Sequence, residues 1–304
     1  MKKRVHLSEW KTPEAEHRFH TREDDLVGER LAERPAAIDV ETHLGPTRAY
    51  FWAGTGEPVV FLHGAGGTGT TWAPYADYRE GRAMYAIDTI GDLGRSRQQK
   101  PVESADDLSR WLEETLTGLG VEHAHLAGTS YGAFLALNLA TSRPGAVRSL
   151  YLIEPAGLVR VVIAKFMLWG MSSLFASLLP KSLRRIAAQR LRNPLVEDRE
   201  LMRLGLYGAR HHRSRLLRPE PLTDEQLHSI EAPTHFVLGA KSEVFPVNAA
   251  RARAFLLPNA TTEVISGAGH AVAMSGADTL APELARFLSR HDTRLDTVER
   301  PEQR

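Results

Sequence analysis

Between residues 125 and 140 an apolar triplet, His125-Leu126-Ala127, runs into a helical stretch, Ala133-Phe134-Leu135-Ala136-Leu137, through the pentad Gly128-Thr129-Ser130-Tyr131-Gly132. A strand that turns at once into a helix puts the middle residue of the pentad at the tip of a tight bend. The residues two places to either side must be small for the backbone to fold back, and Gly128 and Gly132 meet that need. The bend exposes the Ser130 hydroxyl beside the first turn of a helix, where backbone N–H groups lack partners. In a chain with 24 glycines the pentad alone is a weak signal. Its place between strand and helix gives it weight.

Short apolar runs alternate with helical patterns through most of the chain, as in a parallel sheet built from strand–helix–strand units. The expected strands are Ala37–Glu41, Arg48–Ala53, Val59–Leu62, Ala83–Ile87, His125–Ala127, Ser149–Ile153, His235–Leu238 and Thr262–Ile265. Nearly all-apolar strands of this kind are covered on both faces. From about Leu158 to Leu222 no strand is evident, only helical stretches rich in Leu, Met, Phe and Arg. The reading is therefore an N-terminal helical segment over 1–35, a core over 36–157 and 222–291, an inserted helical cap over 158–221, and a mobile tail over 292–304.

The 38 basic and 37 acidic residues leave a formal charge of +1, which does not call for nucleic acid. Without cysteine there are no disulfides, thiolate nucleophiles or cysteine metal sites, as suits a reducing compartment. The opening residues are basic but meet Glu9, Lys11, Glu14 and Glu16 where an export signal needs an apolar stretch. The expected location is cytoplasmic. The longest apolar run, Phe166 to Leu179, is short for a bilayer span and is followed by Lys181, Arg184, Arg185, Arg190 and Arg192. A cap helix packed on the body is preferred over a membrane-surface helix.

Three further features carry chemistry. Val59–Leu62 delivers the chain into His63-Gly64-Ala65-Gly66-Gly67. This loop lacks the Gly-Lys-Ser/Thr ending of a phosphate cradle and suits the presentation of a backbone N–H to an oxygen. Ala65 and Tyr131 are the candidate pair of donors for an oxyanion, and His63 reads as structural. Near the C-terminus, Ile265-Ser266-Gly267-Ala268-Gly269-His270 puts an imidazole on a glycine-rich loop just after a strand, where it can serve as base to a serine hydroxyl. Glu243 follows the strand Phe236–Leu238 and is the preferred acid behind His270. Glu154, closing the strand Leu150–Ile153, is its rival.

The order nucleophile, acid, histidine, with gaps of 113 and 27 residues, resembles the α/β-hydrolase superfamily over residues 36 to 290. The resemblance extends to Asp88-Thr89-Ile90-Gly91-Asp92-Leu93-Gly94-Arg95-Ser96, which is similar to the family's D-x-x-G-x-G-x-S turn. It implies a mostly parallel eight-stranded sheet with helices on both faces and an inserted helical cap, in the manner of bacterial esterase-like members. Members often carry Asp where this chain has Ser242; Glu243 beside it would keep the role.

The expected chemistry is hydrolysis of a carboxylic ester, thioester or lactone with a hydrophobic portion, through an acyl-enzyme on Ser130. No metal or organic cofactor is required, and the partner is a small-molecule substrate. Phe166, Trp169 and Met171 are the candidate pocket residues from the cap. A lyase, cyclase or acyltransferase on the same fold is the alternative, with a small-molecule receptor behind it.

Overall fold

Eight stretches in which β-branched, aromatic and other apolar side chains gather form one sheet in a computed structural model that describes residues 6–274 and 277–292. The strands are β1 (Ala36–Val40), β2 (Thr47–Trp52), β3 (Gly56–Leu62), β4 (Arg82–Ile87), β5 (Ala124–Thr129), β6 (Val147–Ile153), β7 (Thr234–Gly239) and β8 (Ala260–Ile265). Their order across the sheet is β8-β7-β6-β5-β3-β4-β2-β1. Only β1–β2 and β2–β4 pair antiparallel; the remaining neighbours are parallel. Each strand lies within three residues of its expected place, the largest difference being the early start of β3 at Gly56.

Parallel strands need crossovers, and helices supply them on both faces. Before the sheet comes α1 (Pro13–Arg30), capped by Thr12 with Pro13 in its first turn. α2 (Ala105–Gly118) begins with a reciprocal cap between Ser104 and Asp107 and buries Leu108, Trp111, Leu112 and Leu116. α3 (Tyr131–Ser142) is buried from Tyr131 to Ala140 in the largest apolar cluster. Between β6 and β7 lie α4 (Ile163–Ser177), α5 (Lys181–Leu191) and α6 (Arg199–His211), and the sheet resumes after α7 (Asp224–His228). α8 (Val247–Ala254) and α9 (Ala277–His291) complete the described chain. The tail expected after residue 292 lies outside the described residues.

Two sequence expectations change here. The stretch from 158 to 222 does contain a short extended piece, His212–Arg213, which pairs antiparallel with Glu9–Trp10. Two residues are too few to leave a periodic signal. The apolar run 166–179 is also less packed than expected: α4 buries only Ser173, Ala176 and Ser177.

The extended pair sets His212 beside the Trp10 ring, 4.9 Å away, at a relative exposure of 9%. Burial, with repulsion from nearby His20, lowers the His212 imidazole to about 4 from its ordinary 6.5. Folding therefore favours the neutral ring. Above pH 6.5 neither state binds the proton and the contribution to stability is complete. As pH falls from 6.5 towards 4, the unfolded chain takes up a proton that the folded chain refuses, and stability drops. The expected loss is roughly 2–3 kcal/mol. Urea unfolding at pH 7.5 and pH 4.5 should show a smaller loss in His212→Gln than in the parent; equal losses would remove this assignment.

Candidate active site

The parallel register brings the ends of five strands to one edge. Leu62 of β3 pairs with Gly128 of β5, Thr129 of β5 with Ile153 of β6, Ile153 with Val237 of β7, and Gly239 with Ile265 of β8. The loops that leave these carboxyl ends carry His63–Gly67, Ser130, Glu154, Ser242–Glu243 and His270. Ligands of open parallel sheets bind beyond these ends.

Ser130 sits at φ 51°, a region that side-chain-bearing residues avoid. Such strain persists only where the surroundings over-determine it. Here the Ser130 N–H donates to the Ile153 carbonyl at 3.0 Å. The Ser130 carbonyl accepts from Ala156 at 3.1 Å and from Phe134 at 3.2 Å. Gly132 packs against the backbone of β3 so closely that an added Cβ would stand 2.0 Å from the Leu62 carbonyl oxygen. Gly132→Ala is expected to destabilise the fold by at least about 3 kcal/mol, read as a lowered denaturation midpoint. A midpoint equal to the parent's would contradict this packing.

His270 follows β8 and turns its ring inward. Its Nε2 lies 3.1 Å from Ser130 Oγ, and its Nδ1 lies 3.0 Å from Glu154 Oε2. An ionised carboxylate only accepts, so Nδ1 carries the proton and Nε2 is left to accept from the serine hydroxyl. Glu154 is fully buried at φ 49°. It also accepts from the Gly239 N–H at 2.6 Å and the Ser242 hydroxyl at 2.5 Å. A buried carboxylate needs such partners.

The carboxylate that meets the ring is thus Glu154 and not Glu243, which the sequence reading preferred. Glu243 does not meet the ring: its Oε2 accepts from the backbone N–H of His270 at 3.1 Å, and its Oε1 accepts from Arg192 at 3.1 Å. The side chain turns back along its own loop, while the Ser242 hydroxyl donates to Glu154. The signal for the rival Glu154 is a carboxylate closing an otherwise apolar buried strand, Leu150-Tyr151-Leu152-Ile153-Glu154.

The loop after β3 is braced rather than free. His63 Nε2 accepts from the Thr89 N–H at 2.9 Å, so its Nδ1–H donates to the Gly64 carbonyl at 2.8 Å. Asp92 accepts from Gly66 N–H at 2.7 Å and from the Ser214 hydroxyl, and the Gly67 N–H closes the turn onto Gly64. The Asp88–Ser96 turn is held by Asp88, which accepts from Gly69 and Arg95 amides at 2.7 Å. Burial among these groups raises both aspartates above the ordinary carboxylate range. Gly64 lies against Ser130: a Cβ there would be 3.4 Å from the serine Cβ. Tyr131 is the first residue of α3, where an amide has no partner inside the helix. Among the described residues neither the Ala65 nor the Tyr131 amide is taken by another acceptor.

Phe166 and Trp169 of α4 stand edge-on to the His270 ring, at 5.8 and 5.9 Å between centroids. Met171 does not join them and is 51% exposed. Two residues beyond Trp169 is about 200° further round a helix, on the opposite side. Two wide surface grooves, near Glu113 and Ser142 and near His17 and Tyr207, contain none of these groups. Two clusters could offer metal ligands among the described residues: Glu57, His125 and Asp292, and His235, Glu263 and Glu283. Both include residues at the amino ends of strands, away from Ser130, and Arg82 and Arg148 already pair with the first.

Residues 57–277 match the family described as the alpha/beta hydrolase fold. The chain is 27% identical over 237 residues to the uncharacterized carboxylesterase nap of Bacillus subtilis (strain 168), covering 76% of this chain and 79% of that protein. It is 25% identical over 262 residues to carboxylesterase YbfK of the same organism, covering 83% and 87%. The crystal structure of naproxen esterase from Bacillus subtilis superposes with a TM-score of 0.76 at 23% identity, over 91% of this chain and 99% of that one.

Proposed function

The chain belongs to the alpha/beta hydrolase fold family, and from that premise we propose that it hydrolyses carboxylic esters with Ser130 as nucleophile, His270 as base and Glu154 as acid. The observation that carries the reading is the continuous relay from Glu154 Oε2 through both ring nitrogens of His270 to Ser130 Oγ, at 3.0 and 3.1 Å. Similarity to two carboxylesterases supports the same bond type.

In this mechanism Nε2 takes the Ser130 proton as Oγ adds to the ester carbonyl carbon. The Ala65 and Tyr131 N–H groups donate to the resulting oxyanion, which lies beside the Gly64 turn and the first turn of α3. The imidazolium formed is stabilised by Glu154, then returns its proton to the departing alkoxide. Water, deprotonated by the same nitrogen, frees the acyl group and restores Ser130. Neither step calls for a metal or organic cofactor.

Phe166 and Trp169 favour a substrate with a hydrophobic portion beside His270, and the residues from 158 to 221 act as the cap that carries them. Glu243 acts as a positioning residue, since it holds the backbone of His270 rather than its ring. A fluorophosphonate probe tests the assignment most directly. Stoichiometric labelling of the parent at Ser130 is the expected result, and a folded protein that stays unlabelled counts against the nucleophile.

A further inference from the structure

Ten of the twelve large apolar side chains exposed among the described residues fall between positions 162 and 186. On α4 they follow helical spacing: Ile163, Met167 and Met171 form one row, with Leu168 and Phe175 beside it, opposite the Phe166–Trp169 edge that meets His270. Leu183 and Ile186 extend the patch onto α5, which packs against α4. Contiguous apolar surface of this kind marks an interaction site.

Charge indicates what covers it. From residue 155 to residue 196 the sequence holds seven Lys or Arg and no Asp or Glu, although the whole chain is almost neutral. Arg160 pairs with Glu220 and Arg192 with Glu243. Lys165, Lys181, Arg185 and Arg190 are exposed and make no ion pair among the described residues. Lys165 borders the apolar row on α4. On α5 Arg190 continues the row of Leu183 and Ile186, while Arg185 stands about 100° and Lys181 about 140° round the helix from Ile186. An apolar stripe fringed by unpaired cations and free of anions is complementary to an anionic lipid surface. A second copy of the same patch would set these cations against one another. No helix among the described residues is long and apolar enough to cross a membrane, so contact would be along the surface.

We propose that the exposed face of α4 and α5 docks on an anionic lipid bilayer, with apolar side chains at the headgroup–acyl boundary and Lys165, Arg185 and Arg190 on the headgroups. Docking there turns the helix that carries Phe166 and Trp169 towards the lipid and favours esters dissolved in the bilayer. The binding itself does not depend on the chemistry assigned to Ser130.

Vesicle flotation of the full chain tests it, using Ser130→Ala as carrier so that no lipid is consumed. The expected result is flotation with phosphatidylglycerol–phosphatidylcholine vesicles at low salt, weakening as salt rises. Leu168→Glu/Phe175→Glu should reduce partitioning at least about tenfold. Arg185→Gln/Arg190→Gln should reduce it by about fivefold per residue removed. Circular dichroism matching the parent's establishes that these surface variants fold. No flotation, or equal flotation with pure phosphatidylcholine, overturns the proposal. So does sedimentation showing a lipid-free dimer that Leu168→Glu/Phe175→Glu dissociates. Failure of the hydrolase reading would appear instead as absent probe labelling, with flotation unchanged.

Discussion

Ser130→Ala is expected to lower kcat/KM for a p-nitrophenyl ester by roughly 10⁴- to 10⁶-fold. A loss of about 10⁵ corresponds to about 7 kcal/mol of transition-state stabilisation. The magnitude follows from the geometry. Removing the hydroxyl leaves His270 with no nucleophile 3.1 Å from Nε2, and only water attacking beside the Ala65 and Tyr131 amides would remain. Stability should change little, because the contacts that hold position 130 at φ 51° are made by its backbone. Steady-state rates, read together with the denaturation midpoint, separate these effects. Activity within tenfold of the parent in a folded variant would remove Ser130 from the reaction.

The second large effect ranks the two carboxylates. Glu154→Gln is expected to lower kcat by roughly 10³- to 10⁴-fold, because an amide cannot stabilise the imidazolium and can hold the ring in the wrong tautomer. Glu154 accepts from the Gly239 N–H, the Ser242 hydroxyl and His270 Nδ1. The amide NH₂ of glutamine brings a donor into a pocket already supplied with donors, which costs about 1–3 kcal/mol of stability. Glu243→Gln should stay within about tenfold of the parent, since its carboxylate serves the His270 backbone N–H and Arg192. A larger kcat loss in Glu243→Gln than in Glu154→Gln would reverse the assignment.

The contrast between these carboxylates shows which side-chain placements are legible in the sequence. Ser130 and His270 announce themselves locally, one through a strand–Gly-x-Ser-x-Gly–helix transition and the other through a glycine-rich loop after the last strand. The strands were legible for the same reason, since burial on both faces requires short apolar runs. The acid was not. Its choice depends on which of two loop carboxylates turns inward, and chain spacing cannot report a rotamer that binds a backbone N–H instead of a ring. Burial was the better guide, because Glu154 ends a strand whose neighbours are all hidden and must find partners there. Met171 failed on periodicity: composition placed it with Phe166 and Trp169, whereas helical geometry sends it to the far side.

Backbone conformation carries a related message. Among the described residues four non-glycine positions have positive φ, and three of them, Ser130, Glu154 and Arg192, are at this site or in contact with Glu243. Strained backbone clusters where a side chain must be aimed. No periodicity in the sequence encodes it.

The register Thr129–Ile153 fastens Ser130 and Glu154 to adjacent central strands, while His270 arrives from beyond β8, the outermost strand of the sheet. The relay thus has two fixed posts and one hinged arm. If the proposed relay runs the reaction, warming or mild denaturant that frays the sheet from its rim is expected to unhook the imidazole first and silence the protein while most of its architecture is still standing.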